Sequence, residues 1–261
     1  MRATHRHLRG VSSSWMRASG LWRRRGPFGG RQEPQAVAPE FALRVQMNSR
    51  KPPVIHGKYG VSQKPEGAGQ ASHRISFTRL LTSGTIELNG KSYAVEGTAW
   101  MDHEFFTEQV DATLRGWDWV SLQVDNNTEL MLYHFRQKDG SAGPFSAGTH
   151  IDASGRTTFL SFADLAMQPV GETYSSPATH AAYPTMWHVS VPALRLDLQL
   201  STPLKSQELV SGLGVGLSYW EGAITISGTR DGRSASGVGY LEMTGYATWS
   251  YSAAREVVLR P

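Results

Sequence analysis

The residue types best suited to proton chemistry stand close together at Trp100-Met101-Asp102-His103-Glu104, and a second group follows at Arg115-Gly116-Trp117-Asp118-Trp119. Side chains of an extended chain alternate between two faces, which predicts Trp100, Asp102 and Glu104 on one side and Met101 and His103 on the other. By the same count Trp117, Trp119, Ser121 and Gln123 share a face, opposite Asp118, Val120, Leu122 and Val124. A carboxylic acid beside indole rings in an apolar cavity is kept neutral by desolvation and becomes a proton donor near neutral pH. The same residues also suit a structural use, with indole rings filling a core and carboxylates pairing with Arg79, Arg115 or Arg136 at a barrel rim. Residue types alone leave both readings open.

The theme of an acid beside aromatics returns at Tyr219-Trp220-Glu221-Gly222 and at Gly239-Tyr240-Leu241-Glu242-Met243-Thr244-Gly245-Tyr246, where alternation groups Tyr240, Glu242, Thr244 and Tyr246. Such pairs from several strands suit the wall of a ligand pocket, apolar with a few convergent polar groups. Tyr133 and Phe135 alternate with His134 and Arg136, either of which is placed to anchor Asp102 or Asp118. Other chemistries fit less well. Asp102, His103 and Glu104 are adjacent, so a strand turns them to opposite faces and they do not close on one metal ion. No Gly-x-Ser-x-Gly elbow is present, and Gly212-Leu213-Gly214-Val215-Gly216 lacks the Lys-Ser/Thr ending of a phosphate loop. No metal and no cofactor is expected.

The elements that must position these residues read as strands. Asn89-Gly90, Asp139-Gly140, Ser154-Gly155 and Asp231-Gly232 each separate runs of strand composition, the punctuation of antiparallel hairpins. The candidate strands are residues 74 to 81, 84 to 88, 92 to 102, 116 to 125, 128 to 136, 146 to 152, 156 to 162, 185 to 191, 194 to 200, 218 to 228 and 234 to 247. Asn126-Asn127-Thr128 matches a glycosylation sequon but lies where a hairpin tip is expected. Residues 163 to 184, with Pro169, Pro177 and Pro184, read as a long irregular connection, a lid or a packing strap. The expected fold is all-β, an antiparallel barrel over residues 70 to 261.

Composition narrows the partners. Residues 1 to 40 hold eight arginines against Glu33 and Glu40, so this head accounts for the net charge of +4 and the remainder is slightly acidic. A nearly neutral folded part gives no general electrostatic reason to bind nucleic acid. The head shows no apolar periodicity and is expected to be disordered. Residues 41 to 47 read as a lone strand, ended by Lys51-Pro52-Pro53. There is no cysteine, no run long enough to span a membrane and no apolar signal segment.

Lys51-Pro52-Pro53-Val54-Ile55-His56-Gly57, Trp100-Met101-Asp102-His103-Glu104, Gly116-Trp117-Asp118-Trp119, Glu129-Leu130-Met131-Leu132-Tyr133, Tyr219-Trp220-Glu221-Gly222 and the 239 to 246 run together resemble the AttH-like and carotenoid 1,2-hydratase (hydroxyneurosporene synthase) superfamily. The likeness covers roughly residues 41 to 261 and is nearest the branch labelled predicted secreted hydrolases. It implies two tandem lipocalin-like barrels, of which this chain keeps the second, residues 70 to 261. Residues 41 to 69 are then the remnant and linker of an upstream barrel otherwise missing. The likeness also implies a periplasmic or secreted setting and acid-catalysed hydration of an alkene in a hydrophobic, isoprenoid-like or lipid-like molecule. In that chemistry Asp102 gives the proton, with Trp100, Trp117, Trp119 and Trp220 facing the cation. His103, Glu104, Asp118 and Glu221 orient acid or water, and Tyr133, Tyr240 and Glu242 complete the substrate wall. The alternative is a non-catalytic lipid-binding accessory of an ABC-type, membrane-associated export system. Loss of the upstream barrel would leave a sheet edge open and favour self-association.

Overall fold

The computed structural model describes residues 2–4, 19–24, 32–38, 40–64, 70–106, 113–210 and 218–247. The glycine-rich run 212–216 lies outside them. The chain divides into two compact units, Met1–Ile55 with Ile75–Glu104, and His56–Arg74 with Phe105–Pro261. Among the described residues there is no α-helix; the fold is all-β, as expected, and lipocalin-like.

The strands of the first sheet are β1 (Arg2–Thr4), β2 (Ser19–Arg24), β3 (Gln32–Ala38), β4 (Phe41–Ser49), β5 (Val54–Ile55), β6 (Ser62–Gln63), β7 (Ala71–Leu88) and β8 (Lys91–Phe106). They run in the order β1-β8-β7-β4-β3-β2, with β5 and β6 also paired to β7. Alternation buries Val45, Met47, Phe77, Leu80 and Ala99 in the core of the first unit. The Asn89-Gly90 turn joins β7 to β8 with φ of 49° and 77°, the left-handed pair that matches the twist of a two-residue hairpin.

The second unit continues with β9 (Leu114–Val124), β10 (Glu129–Gln137), β11 (Ala147–Ile151), β12 (Thr157–Leu160), β13 (Ala166–Pro169), β14 (Thr173–Ser175), β15 (Ala182–Pro184), β16 (Met186–Val191), β17 (Leu196–Ser201), β18 (Glu208–Leu209), β19 (Tyr219–Arg230) and β20 (Arg233–Thr244). Ten of them form one antiparallel sheet, β12-β11-β10-β9-β20-β19-β17-β16-β13 with β18 beside β19. It curls around an apolar core that includes Val120, Leu122, Leu132, Trp187, Leu198, Trp220, Ile226, Leu241 and Met243.

Ser19–Arg24 and Gln32–Ala38, within the head expected to be disordered, pair as β2 and β3, and β3 continues the ladder of β4. β4, expected as a lone strand, is flanked by β3 on one side and β7 on the other. Most of β7 and β8 belongs to the first unit, since their ladder partners are β4 and each other. The 163 to 184 connection is more regular than expected, holding β13 and the β14-β15 hairpin.

Candidate functional site

In the first unit β8 presents its residues as alternation predicts. Trp100 and Asp102 are buried, Glu104 is half-buried on the same side, and His103 is exposed on the other. The Trp100 indole donates to Asp102 Oδ1 at 2.6 Å, and the Ser76 hydroxyl of β7 donates to the same oxygen. Two donors on Oδ1 fix that oxygen as an acceptor, so a proton carried by Asp102 belongs on Oδ2. Ser76 was not singled out by sequence, since one serine on a long alternating strand carries no signal of its own.

In the second unit, the central sheet has two faces of opposite character. One packs into the apolar core. The other carries Trp117, Trp119, Ser121 and Gln123 of β9, Glu129, Met131, Tyr133 and Phe135 of β10, and Tyr240 and Glu242 of β20, most of them buried. Trp119 is the register partner of both Tyr133 and Glu242. The Trp117 indole donates to Glu242 Oε1 at 2.7 Å, and the Tyr240 hydroxyl donates to Glu221 Oε2 at 3.0 Å. Over this face lie residues 56–64 and 70–74 of the same unit. The Lys64 ammonium sits 5.4 Å from the Tyr133 ring and 5.5 Å from Phe135, Arg74 lies 5.3 Å from the Trp119 ring, and His56 Nδ1 meets Thr149 Oγ1 at 3.0 Å. Cations stacked on rings inside a buried face are held far more firmly than at a surface. Lys64 and Arg74 escaped the sequence reading because they lie far from these rings in the chain.

Asp118 and Trp220 do not join that face. Asp118 points to the core side and is fully buried, where Arg136 Nε donates to Oδ2 at 2.9 Å, Tyr246 donates to Oδ1 at 3.0 Å and His134 Nδ1 lies 3.4 Å away. The Arg136 guanidinium also stacks 4.0 Å from the Tyr246 ring and reaches Thr244 O. Burial and the Asp118 charge push the Tyr246 hydroxyl well above the ordinary tyrosine range. Asp118 is thus the ion-pair partner of Arg136. Tyr246 was grouped with Tyr240 and Glu242 by alternation, but Gly245 takes φ 73° and breaks the period, turning Tyr246 to the side of Asp118. Trp220 is a core residue, its register partner is Met243, and its indole donates to Lys205 O at 2.7 Å. It is no part of the aromatic wall.

The candidate residues thus separate into Asp102 with Trp100 and Glu104 in the first unit, the polar face of the second, and the core pair Asp118 and Trp220. Among the described residues no group of three or more His, Asp or Glu is placed to hold a metal ion, and no helix is long and apolar enough to cross a membrane.

A family model described as AttH-like matches residues 8–246. The chain belongs to the AttH-like family. A crystal structure described as an AttH from Nitrosomonas europaea is similar at 35% identity with a TM-score of 0.77, over 87% of this chain and 68% of that one. Kievitone hydratase from Nectria haematococca matches at 21% identity and a TM-score of 0.69, over 84% of this chain and 65% of the other. CghA in complex with Sch210972 matches at 7% identity and a TM-score of 0.51, over 83% and 65%. The last two likenesses are likenesses of fold, and this AttH-like chain spans about two thirds of the length of each of the three. No curated protein matches it in sequence.

Proposed function

We propose that this AttH-like protein hydrates an alkene in a hydrophobic, isoprenoid-like or lipid-like small molecule, with Asp102 as the acid. The observation that carries the reading is the pair of donors on Asp102 Oδ1, from Ser76 and from Trp100. They hold the carboxyl in one orientation, and the indole that positions it is also an aromatic surface for the cation that protonation creates. In the reaction the alkene π pair takes the Oδ2 proton and becomes a C–H bond. Water then bonds to the cationic carbon, and the proton it sheds restores the acid. No electron acceptor or donor is consumed. A protein of the same fold is named a hydratase, which supports the reaction class.

The test is incubation of the purified chain with acyclic isoprenoid alkenes in heavy-oxygen water. Incorporation of the label into an alcohol is expected, and Asp102→Asn is expected to lower it about 100-fold or more. Binding of a polyene without turnover, unchanged in Asp102→Asn, would instead make the chain a lipid-binding accessory of an ABC-type export system.

A further inference from the structure

The two units repeat one hairpin. In the first, β7 turns at Asn89-Gly90 into β8; in the second, β19 turns at Asp231-Gly232 into β20, and all four turn residues have positive φ. Each incoming strand carries the same short run, Ser83-Gly84-Thr85 and Ser227-Gly228-Thr229. Both glycines lie against the adjoining strand in the same way. A Cβ on Gly84 would meet Arg44 O at 2.2 Å and Val45 Cα at 2.7 Å, and one on Gly228 would meet Asp197 O at 2.1 Å and Leu198 Cα at 2.8 Å. Those neighbours, β4 and β17, hold matching places beside the hairpin in the two sheets.

Gly84 lies five residues before Asn89 and Gly228 three before Asp231, so each arm of the first hairpin is two residues longer. Twelve residues beyond Gly90 and ten beyond Gly232 are therefore the same place on the outgoing strand. The residues there are Asp102 and Glu242. Each is a buried carboxylate, 5% and 8% exposed. Each accepts an indole N–H, from Trp100 at 2.6 Å in one unit and from Trp117 at 2.7 Å in the other. Trp100 belongs to the hairpin itself and Trp117 to β9, so the two indoles reach equivalent acids from different strands. Repetition of a hairpin accounts for the acids but not for the indoles, which arrive separately at the same contact.

We infer that Glu242 is a second proton-handling carboxylate, the counterpart of Asp102 in the second unit, with Trp117 as its positioning residue. It acts on the same class of compound, an unsaturated apolar molecule, and in this the inference rests on the reaction proposed above. Glu242 gives a proton to an alkene carbon, where the π pair forms the new C–H bond, and regains one from the water whose oxygen bonds to the cation. The titratable and charged groups on the face around it are its register partner Glu221 on β19, the Tyr240 hydroxyl that donates to Glu221, Arg74 over the ring of its other register partner Trp119, and Lys64 over the Tyr133 and Phe135 rings.

The experiment is heavy-oxygen incorporation from the same isoprenoid alkenes by wild type, by Asp102→Asn, and by Asp102→Asn combined with Glu242→Gln or with Trp117→Phe, with pH–rate profiles and circular dichroism for each. In the Asp102→Asn background the turnover that remains is that of Glu242, and adding Glu242→Gln is expected to leave the fold intact and to lower that remainder about 100-fold. Adding Trp117→Phe keeps the ring but removes a donor that favours the charged carboxylate, so the remainder is expected to persist with the carboxylate limb of its profile moved to higher pH. A wild type that turns over while Asp102→Asn retains nothing, or a remainder that Glu242→Gln leaves unimpaired or Trp117→Phe leaves with its profile unmoved, overturns this inference and leaves the Asp102 reading standing. Absence of wild-type turnover overturns both. Should the Glu242→Gln combination fail to fold, the Trp117→Phe profile decides alone.

Discussion

Glu221 and Glu242 stand directly opposite each other across β19 and β20, each met by an aromatic donor, the Tyr240 hydroxyl on one and the Trp117 indole on the other. Like charges placed across a ladder oppose pairing. The pair fits the proton chemistry proposed above, with Arg74 and Lys64 over the same face to offset part of the repulsion. Glu221→Gln is therefore expected to leave the melting temperature unchanged or raised while lowering turnover. A fall of several degrees would mark the pair as structural.

Removing the charge of Asp118 strands Arg136, whose side chain is only 17% exposed. Asp118→Asn is expected to cost about 3 kcal/mol in urea unfolding, and Tyr246→Phe about 2 kcal/mol, through loss of a hydrogen bond to a buried carboxylate. Turnover of the folded variants at low temperature is expected to stay close to wild type. An Asp118→Asn variant that is stable but inactive would move this cluster from structure to chemistry.

The glycines of the repeated hairpin give a paired prediction. Gly84→Ala and Gly228→Ala each drive a methyl into a backbone carbonyl and should cost on the order of 2 kcal/mol. Gly97→Ala, with open space around its Cβ, should change stability by less than about 0.5 kcal/mol. Thermal melts of the three variants side by side check this.

The β14-β15 hairpin is fastened by one carboxylate. Ser176, Thr179 and Tyr183 all donate to Glu208, with the Thr179 hydroxyl at 2.5 Å and the Tyr183 hydroxyl at 2.8 Å. Burial and this neighbour push the Tyr183 hydroxyl far above its usual range. Glu208→Ala is expected to speed amide exchange in Thr173–Pro184 about 10-fold or more, while β9 and β10 stay protected. Uniform protection throughout would show that apolar packing of Tyr183 holds the hairpin unaided.

Acid sensitivity should arise at one turn in particular. Asp152 accepts from the Ser154 hydroxyl and from the Ser154 and Arg156 amides, and its carboxyl is held down at about 2 from 3.8, with the Ser154 side chain the largest cause. A depressed folded value means that its stabilisation is complete above about pH 4 and disappears as pH falls toward about 2. Asp152→Asn should flatten the dependence of the urea midpoint on pH in that window. An unchanged slope would assign the acid limb to other carboxylates.

Much of this was legible in the chain. Alternation put Trp100 with Asp102 and Trp117 with Trp119, and the Asn-Gly and Asp-Gly turns located both hairpins, because period and turn chemistry are local properties. What stayed hidden was non-local or depended on one backbone angle. Gly245 broke the count at Tyr246. The flanking of β4 by β3 and β7 set the unit boundary, and long-range approach alone brought Lys64 and Arg74 over Tyr133 and Trp119. Asp118 shows a further limit: its place between two tryptophans gives no sign of which cation pairs with it, and only the fold brings Arg136 there.

The two faces of β9 and β10 alternate residue by residue, with the odd-numbered positions from 117 to 123 and 129 to 135 on the polar side. Deleting a single residue from β9 would exchange the two sets, carrying Val120 and Leu122 to the polar side and their neighbours Trp119 and Ser121 into the apolar core, so in this strand length tolerates no drift.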